Sequence, residues 1–480
     1  MKQLVVAILM SLACSAGAAP ATPVTSKTMQ GSFNGVKVEY TAVVERFVVS
    51  DPAANASADL VSFSYLAQGS NAAQRPVIFV FNGGPISPSV YLHMLALGPR
   101  RLAVPDDLAA DPATFRTVDN AYAVLDVADL VFFDPASTGY SRVRGATEPK
   151  AYFSVDADAR QLTQFVQEWS RRHGRDASPK FLFGESYGSI RAAVAAQQIT
   201  ELKQPLNLRG VFLMGQALNI VETVYRPENI VSYTASLPTL AALGWHHGKI
   251  EKRGRTLEQF LDEVRLFART DYLVALYQGN ALPAADARRI AARLAELTGL
   301  PDEVHAAHNL RVSKPQYRSL LLKDEDKLLG ANDGRYTGPV GKGDPANVMY
   351  PAIFAAFRDY AGGTLGIPRE LDYVTDSPVR GGLDGWRWGA ASPFGNWPYG
   401  DSLAKAMESA PRLRLAIGVG YEDTLTTTGA SEYAIAQSRW PLARTGIHYY
   451  PGGHMAYTIE ASLRKLTGDL RGFVQEASRD

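Results

Sequence analysis

The chain is almost without cysteine: one residue, Cys14, in 480. That excludes a disulfide framework and any cysteine-based metal site. It also lacks a charge of one sign, because 49 Lys and Arg stand against 48 Asp and Glu. A near-zero net charge with mixed signs leaves no basic face for nucleic acid. After the first dozen residues no apolar run is long enough to span a bilayer. Glycine-rich nucleotide fingerprints are absent, and no cofactor is expected. Histidines are few, and the His246-His247 and His305-x-x-His308 pairs have no third ligand at motif spacing. They read as solvated histidines, with no metal expected. No internal repeat is visible.

What is present begins at the N-terminus. Met1-Lys2 precedes an apolar run from Leu4 to Leu12, and Ala16-Gly17-Ala18 fits a small-residue cleavage site near Ala18 and Ala19. This is the pattern of a secretory signal, residues 1–19, and it implies an exported protein, secreted or periplasmic. Cys14 lies inside it, and Ser11-Leu12-Ala13 is a poor match to the residues that precede a lipidated cysteine. The mature protein is then free of thiols, and its length allows a core that needs no staples. Ala19 to Thr28, rich in Pro, Ala and Thr, reads as a mobile leader.

Val36 to Tyr40 and Leu60 to Leu66 alternate at period two, and Val43 to Val49 does so less cleanly. These predict antiparallel edge strands with one wet face. Val77 to Phe81, Leu130 to Phe133, Phe181 to Phe183, Val211 to Met214 and Leu415 to Val419 are unbroken apolar runs, the mark of strands covered on both faces. Helical spacing separates them: Leu162, Phe165, Val166 and Trp169 fall at i, i+3, i+4 and i+7, and Ile459 to Phe473 forms a closing helix. Such alternation predicts a mostly parallel central sheet with helices on both faces. Between Val221 and Pro378 the alternation stops. Leu257 to Leu276 and Ala284 to Leu300 read as helices, and Asn332 to Asn347 is rich in Gly and Asp. We read 221–378 as an inserted cap that splits the core into 20–220 and 379–480. A second independent domain is the alternative.

The chemistry centres on Phe181-Leu182-Phe183-Gly184-Glu185-Ser186-Tyr187-Gly188, an apolar strand running through Gly-x-Ser-x-Gly into a helix. This is the layout of a nucleophile elbow. A free serine is a weak nucleophile and needs a base within reach. An acid and then a histidine should follow in the chain. Asp423 follows the strand that ends near Gly420, and His454 follows Ile447 to Tyr450, so both sit past strand C-termini, where ligands collect in open α/β sheets. Glu422 and Asp401 are near rivals for the acid. The residue after the nucleophile, Tyr187, offers one oxyanion donor through its N–H.

Four blocks together resemble the serine carboxypeptidase family: Asn82-Gly83-Gly84-Pro85 after its strand, Asp129 to Pro135 running to Thr138-Gly139-Tyr140-Ser141, Gly184-Glu185-Ser186-Tyr187-Gly188, and Gly453-His454-Met455. The resemblance runs from about Pro76 to the C-terminus and is weak between Val221 and Pro378. It implies an α/β-hydrolase fold and an enzyme that removes C-terminal residues from peptides through a seryl acyl-enzyme. It assigns Ser186, Asp423 and His454 as the triad and Gly84 as the second oxyanion donor. It places Asn82, Gly83 and Glu185 at the substrate, with Asn82 and Glu185 on its terminal carboxylate.

The sequence departs from the family twice. A second glutamate that would share the carboxylate belongs where Ala96 stands, which predicts weaker carboxylate recognition and a less acidic optimum. Isoleucine stands at 86 where the family has glycine, and it is strained if φ there is positive. Arg100, Arg101 and Arg191 read as solvated surface cations that offer compensating charge as an alternative. Trp386, Trp388 and Trp397 read as packing between cap and sheet. Partners are a peptide or a small acyl substrate, with no nucleic acid and no membrane. The rival functions are an esterase or acyltransferase on the same triad, which Ala96 favours, and a non-catalytic binding protein.

Overall fold

A computed structural model describes residues 24–52, 55–69, 71–204, 206–380, 382–389 and 397–479. The segment expected to be a signal peptide, with Cys14, lies outside the described residues. Nine strands follow one another across the main sheet: β1 (Thr25–Phe33), β2 (Val36–Asp51), β3 (Ala56–Ala67), β4 (Val77–Phe81), β5 (Asp129–Phe133), β6 (Lys180–Glu185), β7 (Leu208–Met214), β8 (Arg414–Gly420) and β9 (Thr445–Tyr450). Their order is β1-β2-β3-β5-β4-β6-β7-β8-β9, and the short Arg142–Val143 strand also pairs with β3. From β5 to β9 every neighbouring pair is parallel. β1, β2 and β3 pair antiparallel, and β3 joins the rest antiparallel to β5. The five apolar runs thus form the buried middle. The alternating segments, expected as edge strands with one wet face, are antiparallel but internal: β2 lies between β1 and β3, and β3, buried from Leu60 to Tyr65, lies between β2 and β5, so the edges of the sheet are β1 and β9.

Two more expectations change. Thr25 to Thr28, expected in a mobile leader, opens β1, whose partner Thr41–Val44 supplies the ladder. The Val36 and Val43 segments are one sixteen-residue strand, because β2 pairs β1 and β3 along its length.

Both faces are covered. On one, the helices Val155–Arg172, Gly188–Thr200 and Tyr399–Ser409 bury Phe165, Trp169, Ile190 and Leu403 against β4, β5 and β6. On the other, the C-terminal helix Glu460–Arg479 and the 346–373 stretch bury Leu463, Leu466, Ile353 and Phe357. Fully burying an aliphatic or aromatic side chain contributes about 1.5–3 kcal/mol, so these two layers dominate the fold's stability. This architecture is the α/β-hydrolase fold.

Residues 221–378 leave the sheet after β7. Their first half folds as helices, among them Val231–His246, Leu257–Phe267 and Ala284–Thr298, around two apolar clusters, one of which Tyr421 joins from the end of β8. Their second half packs into the main core through Met349, Ile353, Phe357 and Tyr360. The histidines here are internal structure rather than solvated groups, except His246. His305 is buried and bonds the Thr298 hydroxyl at 2.8 Å, and His247 reaches the Gly334 carbonyl. Among the described residues, no group of three or more His, Cys, Asp or Glu is placed to hold a metal. No described helix is long and apolar enough to cross a membrane.

Candidate active site

β6 ends at Glu185, and Ser186 turns the chain into the helix Gly188–Thr200. Ser186 has φ of +58°, a conformation costly for a residue with a Cβ. Backbone bonds hold it there: its N–H donates to Met214 O at 2.9 Å, and its carbonyl accepts from Ser189 N–H and, at 2.6 Å, from the Ser189 hydroxyl. The turn is crowded. A Cβ on Gly184 would lie 2.4 Å from the Gly188 carbonyl oxygen, so the flanking glycine is a steric requirement. Ser186 is half-buried while its neighbours are fully buried. The strained turn lifts this one side chain out of the core.

Asp423 and His454 meet at the ends of β8 and β9. His454 Nδ1 and Asp423 Oδ2 are 2.8 Å apart. The carboxylate is fully buried and saturated with donors: Oδ1 accepts from the N–H groups of Leu425 and Thr426 at 2.8 and 3.0 Å, and Oδ2 from the Thr426 hydroxyl at 2.6 Å. Nδ1 must therefore donate, which leaves Nε2 as the acceptor. Burial pushes the His454 pKa down, but the Asp423 carboxylate, its hydrogen bond and Glu185 outweigh burial and raise it above the ordinary histidine value. The imidazole lies against the end of β7, next to the strand that bears the serine. A Cβ on Gly215 would sit 2.8 Å from its Cε1. The rival acids are elsewhere: Glu422 accepts from Gly452 N–H, and Asp401 pairs with Arg439.

The loop after β4 closes on the elbow. A Cβ on Gly83 would stand 2.5 Å from the Tyr187 nitrogen and 2.7 Å from the Glu185 carbonyl oxygen. Only glycine lets the two backbones approach this closely. Gly84 takes φ of +109°. Ile86, as feared from the sequence, has φ of +54° and is fully buried. Strain of that kind costs about 1–3 kcal/mol, and burying the side chain recovers about as much. The loop is also tied down: Ser87 N–H reaches Gly83 O at 3.1 Å, and Ser89 donates twice to Asp134 at 2.7 Å.

Arg191 corrects the reading of a surface cation. It is fully buried, pairs with Asp158 at 2.7 Å and donates through Nη1 to the Asn82 carbonyl at 2.7 Å. It pins the Asn82-Gly83-Gly84 loop from behind and does not face a substrate. Arg101 is buried and pairs with Glu460, and Arg100 pairs with Asp119. None of the three is a free counter-charge beside Ala96.

Asn82 and Glu185 are joined by a hydrogen bond from the amide to one carboxyl oxygen. The other oxygen accepts from the Tyr457 hydroxyl at 2.6 Å. Tyr457 escaped the sequence reading. It follows His454 by three residues, and no motif marks it. Glu185 is pushed by burial to a pKa of about 7, even though the neighbouring His454 and the Tyr457 and Asn82 hydrogen bonds pull the other way. Ala96 is buried within 93–97. The partner of Glu185 is thus a neutral hydroxyl.

The tryptophans also depart from expectation. Trp386 lies edge-on to Tyr187 at 5.2 Å and Trp388 at 6.0 Å. They brace the residue after Ser186 on the face covered by Tyr399–Ser409 instead of filling a seam between the inserted segment and the sheet.

A mostly parallel sheet with a strained serine turn, a histidine and a buried carboxylate at its C-terminal rim defines a serine hydrolase of the α/β-hydrolase class. Residues 54–252 match the family model of the serine carboxypeptidases. The match holds Asn82 to Gly84 and Ser186, and it ends before Asp423 and His454. No curated protein matches the chain. Solved structures with a similar path include a proline iminopeptidase from Mycobacterium smegmatis, 12% identical over 90% of this chain and 98% of that one, with a TM-score of 0.39. A carboxyl esterase from Bacillus coagulans is 12% identical over 95% and 99%, with a TM-score of 0.37. A haloalkane dehalogenase variant from Bradyrhizobium elkanii is 14% identical over 95% and 100%, with a TM-score of 0.34.

Proposed function

We propose that the chain is an exported serine carboxypeptidase-like hydrolase that removes C-terminal residues from peptides. The Asp423–His454 hydrogen bond, at the same rim as the strained Ser186, carries the reading. Ser186 Oγ attacks the scissile carbonyl carbon and passes its proton to His454 Nε2. The tetrahedral oxyanion is held by the N–H groups of Tyr187 and Gly84. The C–N bond then breaks as His454 returns the proton to the leaving amine. Water, activated by the same imidazole, hydrolyses the acyl-enzyme. Asp423 fixes the tautomer and stabilises the imidazolium. Residues 221–378 cap the site and exclude water. A digest of a peptide library read by mass spectrometry is expected to show loss of single C-terminal residues. Internal cleavage, or no cleavage, would contradict the peptidase reading.

Recognition of the terminal carboxylate falls to Asn82 and Glu185, with Gly83 lining the approach. A neutral Glu185 can donate to a substrate carboxylate, whereas an ionised one repels it. Because its pKa is raised to about 7, the neutral form is present below that pH and lost above it. The ratio of kcat/KM for a blocked dipeptide acid over its amide should therefore fall as pH rises through about 7. A flat ratio, or a clear free-acid preference peaking far below neutral, would sink this assignment. Tyr457 in place of an acid favours a second reading, hydrolysis or transfer of acyl esters by the same triad, which product analysis with an added alcohol separates.

A further inference from the structure

Beneath the catalytic acid lies a buried ion pair that the mechanism does not use. Glu222 stands at the start of the inserted segment, and Lys314 is the first residue of the helix Lys314–Leu320 within it. Their side chains are each 2% exposed, and Nζ is 3.3 Å from Glu222 Oε2. Lys314 also donates to the Leu425 carbonyl at 3.1 Å. Glu222 accepts from the Thr427 N–H at 2.9 Å and from the Thr427 hydroxyl. The loop 423–427 is therefore held from both sides: its amides bind the Asp423 carboxylate, and its Leu425 carbonyl and Thr427 donors bind the pair.

The inserted segment grips the histidine as well. In its 331–334 turn, Asn332 O accepts from the His454 N–H, and Gly334 N–H donates to Glu422 O at 3.0 Å. Ala331 O accepts from the Thr424 hydroxyl at 2.8 Å. A Cβ on Gly453 would sit 2.3 Å from Asn332 O, so this contact is backbone against backbone. Asn332 Nδ2 is itself tied to Asn347 and to the Tyr350 hydroxyl.

We propose that the 221–378 segment assembles the acid–base half of the triad, with Lys314 and Glu222 as positioning residues for Asp423 and the 331–334 turn as the matching support for His454. This rests on the serine-hydrolase reading. An ammonium in this environment is tolerable only with its partner in place, so the pair cannot loosen without freeing the loop. The pair also acts at a distance. The charged groups facing His454 are Asp423, Glu185 and Lys314, and the Lys314 cation opposes protonation of the imidazole. The titratable groups facing Glu222 include Lys314, Asp423 and Tyr225.

The test compares Lys314→Met, Glu222→Gln and the double variant in the full chain, with rates normalised to the fraction labelled by a fluorophosphonate. Loss of register should lower kcat in each single variant by about ten- to a hundredfold, with KM within about twofold. The acid limb of kcat/KM should move to higher pH in Lys314→Met, which removes a cation, and to lower pH in Glu222→Gln, which leaves that cation unpaired. In the double variant the limb should return close to wild type while kcat stays low. A merely structural pair would change the folded fraction and leave both the limb and the normalised kcat unmoved, which overturns the proposal. If the singles do not fold, the double variant, with no unpaired buried charge, decides alone: a wild-type kcat overturns the proposal. Wild-type protein that takes no label at Ser186 sinks the hydrolase reading instead, so the two failures are distinguishable.

Discussion

Ser186→Ala is expected to lower kcat by roughly 10⁵- to 10⁶-fold with KM little changed, the magnitude seen when a triad nucleophile is removed. The substitution deletes one oxygen from a half-buried side chain and fills no space, so the fold stays intact. The positive φ of 58° at this residue is a cost that serine already bears and alanine shares. Activity above water should remain, on the order of 10³-fold, because the backbone donors of Tyr187 and Gly84 still polarise a bound carbonyl. Steady-state kinetics alongside a circular-dichroism melt checks this. A variant that is unfolded says nothing, so the melt must overlay that of wild type.

Asp423→Asn is expected to cost about 10⁴-fold in kcat, and the geometry gives the reason. Oδ1 accepts two backbone N–H bonds, so the amide must keep its oxygen there. Its NH₂ then faces His454 Nδ1 and the Thr426 hydroxyl. Two donors cannot face each other, so Nδ1 must become the acceptor and Nε2 must carry the hydrogen. The imidazole then offers a proton to Ser186 instead of taking one. Loss of the carboxylate also removes the main force raising the His454 pKa. The acid limb of the residual kcat/KM should accordingly move to lower pH. A loss below about tenfold, or a limb that does not move, would separate Asp423 from the chemistry.

The middle of the sheet was legible because strands buried on both faces run through unbroken apolar stretches, with their buried charged residues Asp129, Lys180, Glu185 and Arg209 confined to the strand ends. Val77 to Phe81 and Leu415 to Val419 announce themselves in composition alone. β1 was not legible, because Thr25 to Phe33 is an edge strand half open to solvent, and its Thr, Lys, Gln and Ser have no apolar rhythm. The elbow and the two strand-end loops could be read because chain order and position past a strand restrict the candidates. Arg191, Lys314 and Tyr457 could not be read. A buried charge looks like a surface one in sequence until the partner is known, and Asp158, Glu222 and Glu185 lie 33, 92 and 272 residues away from them. Ile86 shows the reverse: the sequence flagged the strain, and only the coordinates show it held by burial and by the ties from Ser89 to Asp134.

The most direct measurement is labelling of the folded wild-type protein with a fluorophosphonate, followed by peptide mapping. One adduct per chain, on the peptide containing Ser186, absent in Ser186→Ala and far slower to form in Asp423→Asn, is the expected result. No adduct on folded protein, or one that forms elsewhere and survives Ser186→Ala, would contradict the account.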